Sequence, residues 1–98
     1  MNVKIQSIKF DADKKLVDFI EKKVLKLERF FDGIIDAEVF LTLENAQDPE
    51  NKKAGIRLDI PGNELFAERS CKTFEEAVDE SIEALKVQIM KAKEKMRT

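Results

Sequence analysis

Between residues 14 and 31, Lys15, Lys22, Lys26 and Arg29 recur at i, i+7, i+11 and i+14, which places all four on one flank of a helix. Asp18, Glu21, Glu28 and Asp32 fall on the opposite flank, so charge is sorted across this helix rather than mixed. Near the end of the chain Lys86, Lys93 and Arg97 form a second row, with Lys91 and Lys95 on the other side of the same helix. Ammonium and guanidinium groups held in register can neutralise phosphates along a nucleic-acid groove and release its counterions, giving strongly salt-dependent binding. A solvated helix face is the plainer account of the same residues, since sorting of this kind also arises by chance in a highly charged chain.

Enzymatic chemistry finds little to work with. There is no histidine, and Gly33, Gly55 and Gly62 are scattered without phosphate-loop spacing. The single cysteine, Cys71, has no base to activate it, and clusters of Cys or His that would hold a metal are absent from the sequence. Glu75 and Asp79 stand one turn apart, as ordinary acids at the start of a helix do. No catalytic residue, metal, cofactor or small-molecule substrate is expected.

The net charge of −2 argues against a generic nucleic-acid binder, so any polyanion site requires positive charge gathered on one face. A lone cysteine forms no internal disulfide and fits a reducing compartment. No apolar run approaches membrane length, and Met1 to Phe10 alternates apolar with polar residues instead of forming a signal segment. The chain reads as cytoplasmic, with no membrane partner.

The elements that must position these charges follow from periodicity. With 43% hydrophobic and 39% charged residues, 98 residues suit one globular domain spanning 1–98. Val3 and Ile5 alternate with Lys4 and Gln6 as a first strand within Met1 to Phe10. Asp11 and Asp13 offer N-caps, and Lys14 to Phe31 takes helical period, with Gly33 expected as a left-handed cap beyond it. Residues 37–44 alternate as a second strand, the polar stretch Asn45 to Lys53 is a loop, and Ala54 to Ile60 is a third strand. Pro61 and Gly62 suit the centre of a type II turn into a fourth strand, Glu64 to Cys71. Thr73 to Arg97 is the last helix, opened by a capping box of Thr73 with Glu76, acidic in its first half and basic in its second.

The order strand, helix, three strands, helix predicts an α+β fold. The first two strands should be parallel neighbours joined by the helix, and the next two an antiparallel meander. One apolar stripe per helix predicts a two-layer sandwich, with both helices on one face of a four-stranded sheet. The other face stays polar apart from Phe40 and Phe66, which suggest either packing aromatics or a base-stacking platform. Glu38, Glu64 and Glu68 beside them would repel a phosphate backbone. Val87 and Met90 fall on the outer side of the last helix.

Three segments together resemble the short ribosome hibernation promoting factors, also called the sigma-54 modulation or ribosome-associated inhibitor family. They are Lys26-Leu27-Glu28-Arg29-Phe30-Phe31-Asp32, Ala77-Val78-Asp79, and Gln88 followed by Lys91, Lys93 and Lys95. The resemblance spans essentially the whole chain and implies the same fold, a relative of the double-stranded-RNA-binding domain. It implies a translation inhibitor of stationary or stressed cells. Its partner would be the small ribosomal subunit with its rRNA, bound between head and body over the messenger and transfer RNA sites. RNA-facing residues implied in this way are Lys22, Lys23, Lys26, Arg29, Lys86, Gln88, Lys91, Lys93 and Lys95. Ala84 and Val87 stand where such sequences usually carry basic residues, which implies weaker binding or more reliance on the first helix. Because the chain ends at Thr98, the resemblance also implies that it does not pair ribosomes by itself. Two readings of other classes stay open: a protein-interaction module using the acidic surface, and a general single-strand RNA binder using Phe40 and Phe66.

Overall fold

The computed structural model of the protein describes residues 1–45 and 47–96. Strand β1 (Asn2–Ile8) leads through helix α1 (Lys14–Leu25) and a 3-10 helix (Lys26–Arg29) to β2 (Asp36–Leu43). Strands β3 (Lys52–Ile60) and β4 (Asn63–Cys71) follow, and helix α2 (Phe74–Met96) closes the order. The sheet runs β1-β2-β3-β4, with β1 parallel to β2 and the other neighbours antiparallel. The expected α+β sandwich is therefore formed, with both helices on one face of a mixed four-stranded sheet.

Strand alternation decides which face is covered. Val39 and Leu41 of β2, Ile56 and Leu58 of β3, and Leu65 and Ala67 of β4 are buried on the helix side. They share one core with Ile20, Val24 and Leu27 from the first helical segment and Val78, Ile82, Leu85 and Ile89 from α2. Ser81, on the buried stripe of α2, is fully enclosed and donates its hydroxyl to the Ala54 carbonyl at 3.1 Å, so the core holds no unmet polar group there.

Local chemistry sets the boundaries. The Asp13 carboxylate accepts from the Leu16 N–H at 2.8 Å and starts α1. Thr73 Oγ1 accepts from the Glu76 N–H at 3.1 Å, the hydroxyl half of the expected capping box. Gly62 takes a φ of 77°, the left-handed value a type II turn needs at that position, and lets Ile60 pair with Asn63.

Three expectations change. The α-helix predicted to reach Phe31 ends at Leu25 and tightens into a 3-10 helix, whose end leaves the Leu27 carbonyl accepting from both Phe30 N (2.9 Å) and Phe31 N (3.2 Å). Gly33 is not a left-handed cap, since positive φ occurs among the described residues only at Lys9 and Gly62. Space explains Gly33 instead: a β-carbon there would lie 2.7 Å from Phe31 Cε1. Strand β3 begins at Lys52, two residues before the predicted start, because the Asn51 carbonyl accepts from Glu44 N at 2.8 Å and closes the loop early.

The helices run in the same direction. Strand β4 is parallel to β1, and each helix doubles back over the strand that precedes it. Contacts climb both helical segments in step: Phe10 stacks on Phe74 at 4.9 Å, Lys23 meets Asp79, and Lys86 meets Phe30.

Candidate nucleic-acid interface

The pairing of parallel helices leaves a groove of about 630 Å³ between the end of the first helical segment and the middle of α2. Leu27 and Ile82, both buried, lie among its lining residues and belong to the core beneath. Lys23, Lys26 and Arg29 line one side, and Lys26 and Arg29 stand three residues apart in the 3-10 turn, the spacing that stacks them in one row. Lys86 lines the other side together with Asp79 and Glu83. Four cations face two carboxylates, so the groove carries +2 in a chain of −2.

Its internal pairs are weakly held. Lys23 lies 3.4 Å from Asp79, and Lys86 lies 3.1 Å from Glu83, each a half-buried lysine against an exposed carboxylate. Pairs of this kind contribute about 0 to 1 kcal/mol and yield readily to a phosphate. Among the described residues, Lys26 and Arg29 make no ion pair at all. The Lys86 ammonium also sits 4.7 Å from the centre of the Phe30 ring.

The residues anticipated from sequence divide among several places. Lys23, Lys26, Arg29 and Lys86 come together in the groove. Lys22 is exposed on α1 and does not line it, while Lys93 lies beyond it with its ammonium 5.9 Å from the Phe31 ring. Gln88 and Lys91 lie beside Asn63 and Leu65 at the β4 edge, where Gln88 Nε2 donates to the Phe66 carbonyl at 2.8 Å. Lys95 falls in α2 with its side chain outside the described residues, and Arg97 lies outside them altogether.

Of the row Lys15, Lys22, Lys26 and Arg29, only Lys26 and Arg29 line the groove. Lys15 borders a separate depression near Phe10 and Glu75, and Lys23 rather than Lys22 lines the groove beside Lys26 and Arg29. Sequence reasoning missed Phe30 as a groove residue, and missed Asp79 and Glu83 as acids facing it. Parallel pairing of the helices was the signal that would have brought residues 79–86 opposite residues 23–30.

The open sheet face has a different character. Arg57 at its centre binds Glu38 at 2.7 Å and Glu64 at 3.4 Å, and Lys53 pairs with Glu68 at 3.2 Å. The bond to Glu38 holds the Arg57 proton even more firmly than usual, against a smaller opposing effect of burial. Phe66 rests on Gly55, where an added β-carbon would stand 3.0 Å from its ring. That contact gives the aromatic a packing role, opposite Arg57 and beside acids whose partners are already Arg57 and Lys53.

A profile of the family described as Sigma 54 modulation protein / S30EA ribosomal protein matches residues 3–97. The chain belongs to that family. It is 32% identical to a ribosome hibernation promoting factor of Azotobacter vinelandii over 97% of this chain and 85% of the relative. A ribosome hibernation promotion factor of Bacillus subtilis is 33% identical over 98% of this chain, which spans only half of that longer protein. Among solved structures, a Thermus thermophilus Protein Y N-terminal domain superposes with a TM-score of 0.78 and 28% identity, covering 91% of this family member and 96% of that domain. A ribosomal subunit interface protein from Coxiella burnetii shares the fold, with a TM-score of 0.84 at 19% identity, over 95% of this chain and 98% of the other.

Among the described residues, no helix is long and apolar enough to cross a membrane, and no group of three or more acidic or Cys side chains is placed to hold a metal ion.

Proposed function

We propose that this protein binds the small ribosomal subunit in the channel between head and body and silences translation by occupying the messenger and transfer RNA sites. Residues 1–98 act as one ribosome-binding domain, working in the cytoplasm of starved or stationary cells. The reading rests on one observation above the rest: in a chain of net negative charge, Lys23, Lys26, Arg29 and Lys86 converge on a single groove. Family membership supplies the ribosome as the polyanion, since relatives carry the name of hibernation factors. Inhibition is steric, and the lysines and arginines hold the plug in place through rRNA phosphates, which fix position without reading sequence. Ala84 and Val87 border a neighbouring depression with Arg69 and Glu80 that shares Asp79 and Glu83 with the groove, and neither takes the place of one of the groove's four cations.

Co-sedimentation with purified small subunits across a salt series tests this. Stoichiometric binding that weakens steeply with salt is expected. The double variant Lys26→Glu, Arg29→Glu should weaken binding by roughly tenfold or more and flatten the logarithmic salt slope by about 1.5 to 2. Wild-type affinity in that variant would remove the groove from the mechanism.

A further inference from the structure

Phe30 stands at the groove with 43% of its surface exposed, although Leu27 and Ile82 just beneath offer apolar surface on which it could bury itself. A groove that only held phosphates would need cations and no aromatic. Here Lys26 and Arg29 are unpaired among the described residues and stand within four positions of an exposed ring. Lys86, held by Glu83 at 3.1 Å, keeps its ammonium 4.7 Å from the ring centre. Charge for a backbone and a π-face for a base therefore lie side by side, the combination by which single-stranded nucleic acid is gripped. The groove volume, about 630 Å³, falls within the range of roughly 300 to 1,000 Å³ typical of sites that enclose a small organic group.

We infer that the groove takes an unpaired nucleotide of RNA, with its base stacked on Phe30 and its flanking phosphates held by Lys26, Arg29 and Lys86. The inference rests on the proposed function and adds that the contact in this groove is with a splayed base as well as with backbone. Lys86 serves as a placeholder: its ammonium covers the ring in the free protein and moves to a phosphate as the base arrives. Stacking is tolerant of base identity, so the site selects single-stranded over paired RNA and does not select sequence.

The chain contains no tryptophan or tyrosine, so Phe30→Trp introduces a sole indole fluorophore at the site. Titrating this variant with purified small subunits, and with a single-stranded RNA oligonucleotide and its duplex, should quench fluorescence with subunits and single strand and leave it nearly unchanged with duplex. Phe30→Leu, which keeps apolar bulk but has no π-face, should weaken subunit binding by roughly ten- to a hundredfold with an unchanged salt slope. Wild-type binding to subunits combined with full affinity in Phe30→Leu, or with no quenching in Phe30→Trp, overturns the stacking and leaves the ribosome reading intact. Failure of the wild type to bind subunits at any salt overturns that reading and, with it, the inference.

Discussion

Burial and the Glu80 carboxylate act on Cys71 in the same direction. The thiol is buried at the end of β4, its Sγ donates to Glu80 Oε2 at 2.7 Å, and its pKa is pushed up to about 11 from an ordinary 9.0. At pH 8 about one thiol in a thousand is then ionised, and thiolate is the reactive form. A thiol reagent should accordingly modify the folded protein far more slowly than the unfolded chain, and Glu80→Gln should speed the reaction by lowering that pKa. The linkage to stability has a definite sign. A folded pKa above the unfolded one favours folding fully below pH 9, and the advantage is lost as pH climbs through 11. Denaturation midpoints taken from pH 8 to 11 should fall for the wild type, and the gap between wild type and Cys71→Ala should narrow across that window.

Among the elements, the 3-10 helix does most to shape the groove. Leu27 is its one buried residue, wholly enclosed in the core, and the same tightened turn carries the groove residues Lys26 and Arg29. Leu27→Ala should cost about 3 kcal/mol in chemical denaturation, the usual range for emptying a core leucine site. Strands, the hairpin turn and both caps were legible in the sequence because each is fixed locally, by alternation, by Gly62 after Pro61, and by Asp13 and Thr73 beside the helices they start. Tightening after Leu25 was not legible. Ile20, Val24 and Leu27 fit an α-helical stripe as well as the shape actually taken, and bonds from Phe30 and Phe31 to one carbonyl decide between them. The groove was half legible. Lys26, Arg29 and Lys86 could be named from charge and resemblance, whereas Phe30, Asp79 and Glu83 required knowing which helix faces meet.

At the scale of the whole molecule, charge is arranged by the direction of the helices. The starts of both lie toward one end, with Asp11 and Asp13 before α1 and Glu75 and Glu76 in the first turn of α2. Their basic later segments lie toward the other. Replacing Glu75 and Glu76 by lysine moves the net charge by four units, from −2 to +2, as far as the groove double variant moves it the opposite way. Even so, affinity for the small subunit should rise by no more than about twofold at 0.15 M salt, measured by the same sedimentation assay. The reason is the length of α2 compared with the reach of a charge in salt water. From Glu75 to Lys86, the groove cation on α2, the helix rises about 17 Å, roughly twice the Debye length of about 8 Å at physiological ionic strength. A polyanion in the groove meets the charges that line it and feels Glu75 and Glu76 only through about two Debye lengths of salt water, so the protein's overall sign is a poor guide to what binds there.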